Sequence, residues 1–104
     1  MPALADLLAL DDAAFRKMFA GGPVGRAGHE RFLRNVLVAA GNSGDGALLP
    51  AVEACLRHDS PLVRGMAVWA LSRLLDGEGY RQLRAKYLPD ESDGSVIAEW
   101  GQDE

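Results

Sequence analysis

The sequence predicts an all-α fold, a right-handed superhelix of stacked helix pairs with about six helices. Two observations predict the class. Apolar residues recur at helical spacing in segment after segment, and no window alternates convincingly with period two. A third predicts the architecture. One nine-residue helical pattern returns 30 positions later in the chain, and self-similarity at that period marks a stack of helical units.

The first helix is expected over Pro2–Leu10, with Leu4, Leu7 and Leu8 on one stripe. Asp11 then stands as N-cap of a second helix, and Asp12 favours its positive end. Phe15, Met18 and Phe19 give that helix its apolar face. Gly21, Gly22 and Pro23 end it. The stretch Gly21 to Gly28 reads as a glycine-rich loop, not a phosphate loop, because no Gly-Lys-Ser/Thr follows.

A third helix is expected from about His29 to Gly41, burying Phe32, Val36, Ala39 and Ala40. Asn42 to Gly46 forms a turn, with Asp45 as N-cap of the fourth helix, about Ala47 to His58. Its apolar residues are Leu48, Leu49, Val52, Cys55 and Leu56, and Pro50 falls in the first turn, where proline is tolerated. Ser60 caps a fifth helix, Pro61–Leu75, that is apolar almost all round and therefore central. Gly77 breaks it. The sixth helix spans about Gly79 to Leu88, with Tyr80, Leu83 and Tyr87 on one stripe, and Pro89 stops it.

The repeat sets Phe32-Leu33-Arg34-Asn35-Val36-Leu37-Val38-Ala39-Ala40 above Leu62-Val63-Arg64-Gly65-Met66-Ala67-Val68-Trp69-Ala70. Apolar falls on apolar, and Arg34 on Arg64. The small alanines let neighbouring helices approach closely. The pattern resembles the second helix of a short HEAT-type repeat. A stub of two or three such units needs capped ends or a neighbouring domain to rest on.

The 104 residues are one domain's worth of chain, enough for a modest core. At 48% apolar and 25% charged, the composition excludes wholesale disorder. One cysteine makes no intrachain disulfide and cannot alone hold zinc or an iron–sulfur cluster. It fits a reducing compartment, and a cytoplasmic location is expected. There is no signal-peptide pattern and no run of about 18 apolar residues, so no membrane span is expected.

The net charge of -4 hides an asymmetry. Residues 1–89 hold all 11 basic residues against 9 acids, a net of +2, while residues 90–104 hold 6 acids and no base. Residues 1–89 are therefore read as the helical repeat domain. Residues 90–104 are read as an acidic C-terminal tail, partly docked through Val96, Ile97 and Trp100, whose helical spacing a free tail does not need.

Catalytic patterns do not stand out. His29 and His58 sit one repeat apart at helix edges and read as capping or surface residues, with no second ligand at i+3 or i+4. Cys55 lies on an apolar stripe and reads as a small buried hydrophobe. By itself the chain is not expected to be an enzyme, and no metal site is expected.

A binding surface does stand out. Arg31, Arg34 and Asn35 are spaced i, i+3, i+4 and share one face of the third helix, opposite Phe32 and Val36. Arg26 lies in the loop before, and Asn42 just after. A cationic face with amides beside it suits phosphate and sugar contacts. The competing reading makes Arg34 structural, as Arg64 is, with Asp59 as a partner for Arg64 across the turn. The equivalent of Asp59 one repeat earlier is His29, so Arg34 lacks such an acid. Arg73, Arg81, Arg84 and Lys86 on later helices read as solvated surface.

The run Gly22-Pro23-Val24-Gly25-Arg26-Ala27-Gly28, then Arg31-Phe32-Leu33-Arg34-Asn35-Val36, then Gly41-Asn42-Ser43-Gly44 resembles the C-terminal portion of the epoxyqueuosine reductase family, over roughly residues 7–75. That family uses [4Fe–4S] clusters and cobalamin to complete queuosine in the tRNA wobble position, and carries HEAT-like helices after a comparable motif order. The resemblance implies a substrate-positioning, tRNA-binding domain without chemistry of its own. Arg26, Arg31, Arg34, Asn35 and Asn42 are then candidates to contact the tRNA anticodon arm or the catalytic domains expected upstream. The cluster-bearing and cobalamin-binding parts are missing, which implies an excised C-terminal piece or a separately encoded remnant. A HEAT-like protein–protein interaction module is the alternative.

Overall fold

The structure, a computed structural model, describes residues 3–18 and 26–101, with the backbone alone at Arg26 and Ala27. Expectations on residues 19–25, including Phe19 and the glycine–proline stop, lie outside the described residues. The described chain is all-α, with seven α-helices and no strand. These are α1 (Leu4–Leu8), α2 (Asp12–Met18), α3 (Arg26–Ser43), α4 (Leu49–Ala54), α5 (Pro61–Leu74), α6 (Gly77–Tyr87) and α7 (Gly94–Trp100). Short 3-10 turns flank α4 and follow α6.

Local chemistry sets the helix starts. The Asp11 carboxylate accepts from the Ala14 amide, Asp45 from Ala47, Ser60 from Val63, Asp76 from Gly79, and Asp93 from Ser95 and Val96. Each satisfies an amide that a helix start leaves unpaired. Pro61 occupies the first position of α5, where its missing N–H costs nothing.

α3 is longer at both ends than its sequence pattern predicts. It opens at Arg26, so Gly28 is helical rather than part of a loop. It runs on through Asn42 and closes at Gly44, whose φ of +69° is the left-handed conformation that ends helices. Asn42 therefore sits in the last helical turn and not in a connecting turn.

α3 and α5 are repeat equivalents and stack side by side, running parallel. At one end the His29 and His58 rings lie 5.9 Å apart. At the other, Gly41 is pressed against Trp69 and Ala70. α7 packs on α5 as well, placing a Val96 methyl over Gly65. α1 and α2 pack on α3, and α4 and α6 on α5, which completes the helix pairs.

The buried stripe of α3 differs from expectation. Leu33, Val36, Leu37 and Ala40 are buried, Phe32 is half-buried and Ala39 is exposed. The helix is apolar over most of its circumference, so the apolar spacing taken alone fits two stripes. Contact with α5 and α1 selects the one centred on Leu33 and Leu37. In α5, Ala67 joins the core, while Leu62 at its start is exposed.

The segment after Asp90 carries α7 through residue 100. Val96 and Trp100 are buried, whereas Ile97 is 39% exposed. Trp100 lies against the Tyr80 ring at 5.5 Å, and its carbonyl accepts from Arg84 Nε at 3.0 Å. Burying an indole removes about 150–250 Å² from water, worth about 4–6 kcal/mol. That outweighs the mutual repulsion of exposed carboxylates, worth tenths of a kcal/mol each.

Candidate functional site

α3 carries all five sequence-predicted residues, four of them with described side chains. Positions 31, 35 and 42 differ by four and seven residues, one and two helical turns, and so fall on one line along the helix. Arg31, Asn35 and Asn42 are exposed along that line, and Arg34 is exposed beside it. Arg31 and Asn42 are eleven residues apart, so the row is about 16 Å long. Arg26 opens the same helix, and its side chain lies outside the described residues. The Leu33–Leu37 stripe on the opposite side anchors α3 in the core, which holds the row rigid.

The electrostatics of the two repeat arginines diverge. Arg34 donates from Nη1 to Asn35 Oδ1 at 3.1 Å, and among the described residues no carboxylate pairs with Arg31 or Arg34. Arg64 is fully engaged. Its Nε and Nη2 each donate to Glu91 at 2.9 Å, and its Nη1 donates to the carbonyls of His58 and Asp59, both at 2.9 Å. Hydrogen bonds from Arg64 hold the Glu91 carboxyl below its ordinary range, and Glu91 in turn raises the Arg64 guanidinium. The expected Asp59–Arg64 pair is replaced by this arrangement. Asp59 contributes its backbone carbonyl, and the carboxylate comes from the acidic segment 27 residues later.

The later basic residues each lean on the fold. Arg81 pairs with Glu78, Lys86 lies 3.6 Å from Glu53, Arg84 binds the Trp100 carbonyl, and Arg73 sits 5.9 Å from the Trp69 ring. Tyr87 donates to Glu53 at 2.8 Å, and burial with this bond raises its phenol pKa.

His29 is buried, not a surface or capping residue. Its Nε2 lies 2.9 Å from the Leu10 carbonyl, a contact that makes this nitrogen the donor, and its ring stacks on Phe15 at 5.0 Å. It ties α3 to the α1–α2 connection. His58 does cap: its Nδ1 accepts from the Ser60 amide at 3.0 Å. A cavity of about 470 Å³ lies beside these turns and is lined by Arg57, His58, Asp59, Arg64, Tyr87 and Glu91 among others. Its Arg64 and Glu91 bond each other.

Cys55 is buried, and burial pushes its thiol up to about 11. Such a thiol is a poor nucleophile at neutral pH, and a cluster ligand must be a thiolate. A [4Fe–4S] cluster takes four such ligands, so the donor set of this chain does not fit one. Among the described residues no three His, Cys, Asp or Glu side chains form a metal-holding group. Among them, too, no helix is long and apolar enough to cross a membrane.

Comparison with known proteins agrees with this geometry. The HEAT repeat family matches residues 48–77, the span of α4 and α5. Epoxyqueuosine reductase of Alicycliphilus denitrificans is 45% identical over 78 residues, covering 67% of this chain and 22% of that protein. The Xanthomonas campestris pv. campestris enzyme is 44% identical, covering 67% and 20%. The Escherichia coli enzyme is 34% identical, covering 72% and 20%. A crystal structure of selenomethionine-labelled epoxyqueuosine reductase superimposes with a TM-score of 0.81 at 27% identity, covering 95% of this chain and 26% of that one. The chain thus spans about a fifth of the length of the curated relatives it matches. Helical repeats, shape and sequence converge, and the chain matches one part of epoxyqueuosine reductase.

Proposed function

We propose that this chain is the substrate-positioning part of an epoxyqueuosine reductase. In this reading it holds the anticodon arm of a tRNA against catalytic parts supplied elsewhere, and has no chemistry of its own. One observation carries the reading: the exposed row on α3 presents two guanidinium groups that no carboxylate among the described residues neutralises, on a helix locked into the core. The repeat-equivalent Arg64 is consumed by the fold, so the exposed cations are a property of α3 and not of the repeat. Cationic contacts of this kind attract a phosphate backbone and fix its register. A structured RNA is then recognised chiefly by shape. The iron–sulfur and cobalamin chemistry implied for the whole enzyme lies outside these residues.

The test is binding of a queuosine-accepting tRNA to the chain across a salt series. Affinity should fall as salt rises, and Arg31→Ala with Arg34→Ala should weaken it. For every phosphate that a variant no longer neutralises, the log–log salt slope should shrink by about 0.7–0.9. Unchanged affinity and slope in the double variant would overturn the reading. Tight binding of a protein partner with no RNA binding at low salt would establish the protein–protein module instead.

A further inference from the structure

Asn35 has a second property, independent of charge. Its Oδ1 accepts a hydrogen bond from Arg34 Nη1 at 3.1 Å. A guanidinium offers only donors, so the amide is held in one orientation, oxygen toward Arg34 and NH2 away from it. Both residues are exposed on α3. Arg31 and Arg34 present donors only, and Asn35 turns its oxygen toward Arg34 and its two N–H groups the other way.

We infer that Asn35, oriented by Arg34, is a fixed neutral donor to the phosphodiester oxygens of the bound nucleic acid. The inference rests on the proposed function and sharpens it by naming the atoms met. Phosphodiester oxygens are acceptors only, and they match the donors of Arg31, Arg34 and the Asn35 NH2 group. Base edges mix donors and acceptors, and an amide whose oxygen is turned toward Arg34 cannot offer its donor and acceptor side by side to one base edge. Arg34 thus has two duties, one as a charge and one as a positioning residue for its neighbour. The contact is sequence-independent and depends on amide donors rather than on net charge.

The experiment measures binding of an anticodon stem–loop RNA, and of the same stem with its base pairs inverted, to the full chain and its variants. Asn35→Ala removes the donors. Asn35→Asp keeps the shape, replaces the NH2 with an acceptor and adds a negative charge. Asn35→Asp should weaken both RNAs alike by about tenfold or more, and Asn35→Ala by a smaller factor. The effects of Arg34→Ala and Asn35→Ala should fall short of additive, because removing Arg34 already frees the amide to turn. Because Asn35 is exposed, the melting temperature and helical circular dichroism of each variant should stay at wild-type values, which separates weakened binding from unfolding. If Arg31→Ala weakens binding while both Asn35 variants bind as wild type, the inference fails and the proposed function stands. The inference also fails if the Asn35 variants weaken one RNA and not the other, since a base edge is then being read. If none of the variants changes binding, the proposed function itself is wrong.

Discussion

Arg64→Ala is the perturbation with the largest predicted effect on the fold. The Arg64 and Glu91 side chains are only 17% and 9% exposed, and four hydrogen bonds of 2.9 Å leave the one guanidinium. Truncation strands a largely buried carboxylate and frees the carbonyls of His58 and Asp59. Breaking a fully buried pair from one side costs about 3–5 kcal/mol, and partial exposure brings the figure here to about 2–4 kcal/mol. For a domain of this size each kcal/mol moves the melting temperature by roughly 4–8 °C, so a drop of about 8–32 °C is expected at neutral pH. Glu91→Gln keeps the shape but removes the charge, and should cost about 1–2 kcal/mol.

The same pair makes a pH prediction. Glu91 has a lower pKa folded than unfolded. Its contribution is therefore complete above the unfolded value of about 4.3 and is lost as the pH falls through the folded value. The stability gap between wild type and Glu91→Gln, followed by chemical denaturation from pH 7 to pH 2, should narrow below about pH 4. A gap that stays constant with pH would overturn this account of the pair. So would an Arg64→Ala variant within about 0.5 kcal/mol of wild type.

Three further outcomes are expected. Gly41→Ala places a methyl 2.6 Å from the Trp69 ring and 3.1 Å from the Ala70 backbone, so it should destabilise by about 1–3 kcal/mol and shift Trp fluorescence. Cys55, with its thiol at about 11, should resist thiol reagents at pH 8 in the folded state and react at once in denaturant. His29→Leu keeps bulk but leaves the Leu10 carbonyl without its donor, costing about 1–3 kcal/mol. Hydrogen exchange should then speed up across α1 and α2 while α5 stays protected.

How far the sequence reaches is clearest on α3. The 30-residue offset already pairs α3 with α5, and the spacing of Arg31, Arg34 and Asn35 already places them on one exposed side. The phase of the buried side is harder to read, because Phe32, Leu33, Val36, Leu37, Val38 and Ala39 run nearly unbroken. The line through Arg31, Asn35 and Asn42 is the signal that resolves it, since its opposite side falls on Leu33, Leu37 and Ala40. Non-local choices stay out of reach. Arg64 has an acid five residues away and uses one 27 residues away. Nothing local to Glu91 announces that. The burial of His29 escapes the sequence for a related reason: its partners, the Leu10 carbonyl and Phe15, arrive only when α1 and α2 fold back onto α3.

The stack of α3, α5 and α7 also bears on how the domain comes apart. Each outer helix touches the middle one, and the stack behaves as a short chain of nearest-neighbour couplings. Opening from the α7 end breaks one interface and leaves the other intact, and the same holds from the α1–α3 end. Exposure of α5 requires both interfaces to break. Protection against exchange should therefore fall off from α5 in both directions.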